Sequence, residues 1–207
     1  MNLLKLLIDN PLAFLLIALP LLYSVIIHEL AHGWVAFRLG DPTAKMMGRL
    51  SLNPLKHLDP VGTIMLFLFG FGWAKPVPIN LDNVPNLRKG LILVSAAGII
   101  ANTALAFLAF LLVDLFSPAP SSMLRVLLYY LAQINVILAA FNLIPIPPLD
   151  GSKILMGFLP DRYHYAFSRL EPYGFFIIIA LLYTGVLNPV IVLFRRFILL
   201  LISVLLP

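Results

Sequence analysis

Leu12-Ala-Phe-Leu-Leu-Ile-Ala-Leu-Pro-Leu-Leu-Tyr-Ser-Val-Ile-Ile27 runs directly into His28-Glu-Leu-Ala-His32. The sixteen residues before His28 carry no charge, and the next five hold two imidazoles and a carboxylate. A charged cluster at the end of such an apolar run costs about 2.5–3.5 kcal/mol per charge on insertion scales, so it marks a functional site by default. Each residue of a helix turns about 100°, which places His28 and His32 about 40° apart on one face and one turn apart along the axis. Two imidazoles so placed can bind one Zn²⁺, and Glu29 beside the first can take a proton from a water at the metal.

Composition sets the class. Of 207 residues, 61% are apolar and 11% charged, with a mean hydropathy of +1.01. Soluble domains carry about 25% charge, so the chain reads as a polytopic membrane protein. No internal repeat or polar linker divides it, which implies one integral membrane domain over residues 1–207. The apolar start leads into the histidine motif, not into a small-residue cleavage site, and is expected not to be a cleavable signal. Cysteine is absent, so any metal rests on His and carboxylate. The net charge of +5 reads as membrane orientation and anionic-lipid contact, not nucleic-acid binding.

Working outward, Asn10 and Pro11 predict the start of the first long helix and Gly40-Asp41-Pro42 its end, with a kink at Pro20. Met1–Asp9 is a short apolar piece suited to the interface. Gly48–Pro54 is expected to form a short strand, and Val61–Gly72, too short to span ~30 Å of hydrocarbon, a re-entrant segment. Trp73-Ala-Lys-Pro-Val-Pro-Ile-Asn80 must be extended, because each proline disfavours helix at the residue before it. Pro76 and Pro78 strip one edge of donors, while the other keeps the N–H groups of Val77 and Ile79. Leu91–Phe116 and Leu124–Leu143 are further long apolar runs, and Asn135 in the latter reads as a packing amide. Tyr173–Leu187 is a fourth, short span; Val190–Leu206 either lies in the interface or packs on the bundle. The fold class is therefore an all-α polytopic membrane protein. It has about four to six membrane helices or segments, with a small extended (β) insertion and a re-entrant segment between the first two long helices.

The basic residues orient it. With helix one leaving the membrane at Arg38 and Val61–Gly72 not crossing, ten of fourteen Lys and Arg residues face the cytoplasm, against Lys5 and Arg125 outside. His28, His32 and Asp150 then lie on the cytoplasmic half.

A catalytic zinc keeps three protein ligands and one open position. His57, His164, Asp59, Asp114, Asp150 and Asp161 are the candidates for the third. Asp114 falls at the far end of its helix, and His164 and Asp161 lie in a polar segment. Asp150 ends an unwound, proline-rich stretch on the side of His28 and is the best choice. His57 is a candidate gating or supporting group.

His28-Glu-Leu-Ala-His32, Gly98-Ile-Ile-Ala-Asn102 and Asn142-Leu-Ile-Pro-Ile-Pro-Pro-Leu-Asp150-Gly151 together resemble the site-2 protease family of intramembrane zinc metalloproteases, in its compact form without PDZ or CBS modules. The likeness runs from about Tyr23 to Lys153. It departs where Gly98-Ile99 stands in place of a common Gly-Pro pair. The resemblance implies Zn²⁺ on His28, His32 and Asp150, with Glu29 as general base. It also implies that Asn142 and Asn102 hold the substrate backbone or polarise its carbonyl.

The expected activity is that of a zinc metalloendopeptidase. It would cut a peptide bond within or near the membrane-spanning helix of another protein, in the plasma membrane of a prokaryotic cell. Such a helix must unwind first, and an edge strand at Trp73–Asn80, pairing through Val77 and Ile79, would hold the unwound form. A membrane zinc transporter and a non-catalytic zinc adaptor are the rival classes. The first has no need of a glutamate next to a ligand histidine, and the second would fill the open coordination position.

Overall fold

The computed structural model describes residues 3–69 and 72–206. Among them the helices run in the order α1 (Leu3–Asp9), α2 (Pro11–Arg38), α3 (Thr43–Met46), α4 (Pro60–Phe69) and α5 (Leu87–Phe116). There follow α6 (Met123–Asn142), α7 (Asp150–Phe158), α8 (His164–Tyr183) and α9 (Asn188–Leu205). Four of these, α2, α5, α6 and α9, are long and apolar enough to cross a membrane.

Short polar side chains start the long helices. Asn10 accepts from the N–H of Ala13 at 3.0 Å, Asn86 from that of Lys89 at 3.0 Å, and Ser122 from that of Arg125 at 3.2 Å. Each satisfies a donor that the first turn leaves without an internal partner. The expected break at Gly40 is present: its φ is 113°, and the N–H of Asp41 closes back on Ala36 O at 2.9 Å. Within α2 the helix continues unbroken through Pro20.

α5 lies at the centre, against α2, α6 and α7, while α6 also meets α2 and α9. Ile99 and Ala106 of α5, Val136 and Ala139 of α6, and Ile198 and Ile202 of α9 form one buried cluster. The alanines let the helix backbones approach closely, which is how helices gain contact in lipid. Arg195 of α9 donates to Gln133 of α6 at 2.9 Å, so the last helix packs on the bundle. The stretch between α6 and α7 is unwound into turns, as its prolines predict. α8 docks on it: a Cβ at Gly174 would stand 2.1 Å from Pro147 O. α8 also corrects the expected span at Tyr173–Leu187, since the helix begins earlier, in the polar stretch at His164.

The β insertion is not there. No strand occurs among the described residues; the only pairing is one antiparallel bridge between Leu58 and Ala74. The cause lies in where the backbone donors go. Along Gly72–Asn80, hereafter the strap, prolines 76 and 78 have none, Val77 donates to the Glu29 carboxylate, and Asn80 donates to Asp41. Side chains thus take the donors that a ladder would need. Nor does Gly48–Pro54 form a strand; Asn53 instead caps a 3₁₀ turn at Pro54–Lys56. The expected re-entrant segment at Val61–Gly72 is not supported either: Pro60–Phe69 form α4, an uninterrupted helix that packs on α1. Its Asp59 cap accepts from Gly62 N–H at 2.7 Å. Residues 70 and 71 of the expected segment lie outside the described residues.

Candidate metal centre

α2 brings His28 and His32 to one face, with their Nε2 atoms 2.9 Å apart. Asp150, the first residue of α7, sets its Oδ2 at 3.1 Å from His28 Nε2 and 3.2 Å from His32 Nε2. All three residues are buried. Asp150 Oδ2 has no hydrogen-bond donor. The ring atoms on the other side are committed: His28 Nδ1 lies 2.6 Å from Asn102 Oδ1, and His32 Nδ1 lies 2.7 Å from Val94 O. Both partners are acceptors, so each Nδ1 carries the proton and each Nε2 turns a lone pair inward. Three electron-rich atoms packed this closely and away from water call for a cation.

The donor set fits zinc. Two imidazole nitrogens and a carboxylate oxygen are its usual ligands, and bonds of about 2.0–2.1 Å in a tetrahedron put ligand atoms about 3.3 Å apart. The observed edges of 2.9, 3.1 and 3.2 Å are close to that. Gly98 of α5 makes the space: a Cβ there would stand 2.5 Å from His28 Cε1 and 2.6 Å from the Nε2 of each histidine.

A cavity of about 430 Å³ opens beside the three ligand atoms. His28, Glu29, His32, Val77, Ile79, Asn142 and Asp150 all line it. The far wall comes from α7 and α8, through Lys153, Met156, Phe167 and Glu171. Glu29 is held there by the N–H of Val77, which donates to its Oε2 at 2.8 Å. Asn142, at the end of α6, donates to Leu138 O at 3.0 Å.

Asn102 is the exception. It is fully buried and does not line the cavity. Its oxygen faces His28, and its nitrogen donates to Asn135 Oδ1 at 2.7 Å and Ser24 O at 3.3 Å. Both ends of this amide are thus engaged by protein groups, His28 among them. The other third-ligand candidates stand elsewhere. Asp59 caps α4, Asp114 is exposed near the far end of α5, and His57 is buried but donates from Nε2 to Ser51 O at 2.7 Å. The side chains of Asp161 and His164 lie outside those described.

Two residues that hold the strap were not singled out from the sequence. Asp41 is buried and accepts from Asn80 N–H at 2.7 Å, Asn83 Nδ2 at 2.8 Å, and the N–H and hydroxyl of Thr43. Arg49 Nη2 donates to Lys75 O at 2.7 Å. Gly40-Asp41-Pro42 signals a helix stop, and nothing local shows that its carboxylate reaches a segment forty residues on.

Comparison with known proteins decides the family. The candidate zinc metalloprotease YwhC of Bacillus subtilis is 41% identical over 175 residues, covering 81% of this chain and 80% of the relative. The chain belongs to peptidase family M50. The family model itself matches residues 115–185 of this M50 chain, a span that includes Asn142 and Asp150. The candidate zinc metalloprotease Rip2 of Mycolicibacterium smegmatis is 31% identical over 180 residues, covering 84% of the M50 chain and 69% of the relative. The candidate zinc metalloprotease MJ0611 of Methanocaldococcus jannaschii is 35% identical over 136 residues, 63% of each chain. No solved structure matches.

Proposed function

We propose that this M50 chain is an intramembrane zinc endopeptidase, hydrolysing a peptide bond within or near the membrane-spanning segment of another protein. One observation carries the reading. Two imidazole nitrogens and a carboxylate oxygen converge within 3.2 Å at a cavity that also holds the Glu29 carboxylate.

His28, His32 and Asp150 hold the metal. When bound, zinc polarises the scissile carbonyl and lowers the pKa of water towards ~7. Glu29 is the general base. Its Oε2 is tied to Val77 N–H, which leaves Oε1 to take a proton from the attacking water and return it to the departing amine nitrogen. Asn142 offers the amide hydrogen that Leu138 O does not use to the carbonyl oxygen as it gains charge. Asn102 acts on His28, not on the substrate. Val77 and Ile79 form the wall along which an unwound substrate lies, with the Val77 N–H kept on Glu29. The chain sits in the plasma membrane of a prokaryotic cell with this cavity on the cytoplasmic half, a placement that the bias of Lys and Arg supports.

The test uses purified protein in lipid vesicles with a model membrane-spanning substrate. Wild type should bind one zinc and cleave; Glu29→Gln should bind zinc and cleave nothing, because an amide cannot take the proton. Zinc flux that survives Glu29→Gln, with no cleavage by wild type, would mean a transporter. Zinc binding with neither activity would mean an adaptor.

A further inference from the structure

A buried chain of amides runs from α6 to the imidazole of His28. We propose that Asn135 and Ser24 are positioning residues that set the tautomer of His28 through Asn102; the inference rests on the metal reading above.

The chain has a direction, and a backbone carbonyl sets it. Leu131 O can only accept, and it receives Asn135 Nδ2 at 2.8 Å. The same nitrogen donates to Ser24 Oγ at 2.7 Å. The nitrogen end of Asn135 is thereby fixed, and its oxygen end faces Asn102. That oxygen accepts from Asn102 Nδ2 at 2.7 Å, and the second hydrogen of Asn102 points to Ser24 O, another backbone carbonyl, at 3.3 Å. Asn102 therefore has only its oxygen to present to His28, 2.6 Å from Nδ1. An acceptor at Nδ1 requires the proton there, and the Nε2 lone pair is left for the metal.

Asn102, Asn135 and Ser24 are all 0% exposed, so water cannot stand in for a missing partner. Ser24 lies one turn before His28 on the same face of α2, which is why it can meet both amides. If Asn102 turned over, its NH₂ would meet Nδ1 and the ring proton would move to Nε2. That hydrogen would then sit among atoms 2.9–3.2 Å apart and take the place of a ligand bond. His32 needs no such relay, because Val94 O meets its Nδ1 directly.

The test takes the full chain in detergent, labelled with ¹⁵N-histidine and stripped of metal. The ¹⁵N spectrum reports which ring nitrogen is protonated, and zinc affinity is measured by competition with a chelator. Asn135→Leu removes both ends of the central amide. It should move His28 from the Nδ1–H form towards a mixture with Nε2–H, leave His32 unchanged, and weaken zinc binding about 10–100-fold. Ser24→Ala should do the same to a smaller extent. If Asn135→Leu does not fold, Ser24→Ala decides. Unchanged His28 signals and zinc affinity in the folded variants, while His28→Ala loses zinc, would overturn the relay and leave the metal site standing. Undiminished zinc binding by His28→Ala would overturn the metal reading and the relay with it.

Discussion

At Gly98 the chain has no room for a methyl group, because both imidazoles lie against its Cα. The rings are those of His28 and His32, and only the relative placement of α2 and α5 brings them to this glycine. Gly98→Ala should push the rings off their positions and weaken zinc binding by about tenfold or more, as disturbance of ligand support does. Chelator competition measures it, and wild-type affinity would mean that the rings can move aside. Val77 tests the other half of the site. Val77→Pro removes the N–H that holds Glu29, and cleavage should fall on the order of 10²-fold, the cost of a misplaced reacting group. Zinc content should stay the same, and Val77→Thr, which keeps the N–H and the branched shape, should be mild. A Val77→Pro protein that cleaves at the normal rate would show that Glu29 needs no such hold.

At the scale of elements, Asp41 joins the end of α2 to the strap. Burial pushes its carboxyl up, but the hydrogen bonds from Thr43, Asn83 and Asn80 more than offset this and hold it below the ordinary carboxylate range. A carboxyl lowered in the fold stabilises most above its unfolded value of about 3.9, and this contribution is lost as pH falls through the folded value. The melting temperature should therefore hold above about pH 5 and drop as pH falls below about 4, and Asp41→Asn should be less stable at the higher pH with a shallower drop. Equal slopes would remove Asp41 from the account. The long helices were legible because uncharged runs are local signals, and so is the Asn10 cap at the first of them. The strap was legible only as extended. Its failure to pair follows from Glu29 and Asp41, which lie far away in sequence. That His28, His32 and Asp150 would come together was legible, because spacing on one helix and the resemblance pointed to the same residues. The hydrogen bonds of Asn102 and Asn135 were not, because the direction of an amide depends on partners from three helices.

For the whole molecule, reporter fusions after Lys89 and after Arg169 should both read cytoplasm, and one after Pro120 the opposite side. The reason is that α5 and α6 are each long and apolar enough to cross, whereas α4, with 10 residues, is shorter than ~30 Å of hydrocarbon requires. A Lys89 fusion on the outer side would place the ligand residues on the other face of the membrane. The strap is fastened to α2 at two points: Asp41 follows that helix directly, and Val77 returns to Glu29 within it. The opposite wall, α8, rests on the unwound segment at Gly174 and on the strap through the Trp73–Phe175 ring contact. The α8 wall therefore touches both the strap that holds Glu29 and the segment that leads into Asp150, so pressure on that one wall is felt on both sides of the cavity.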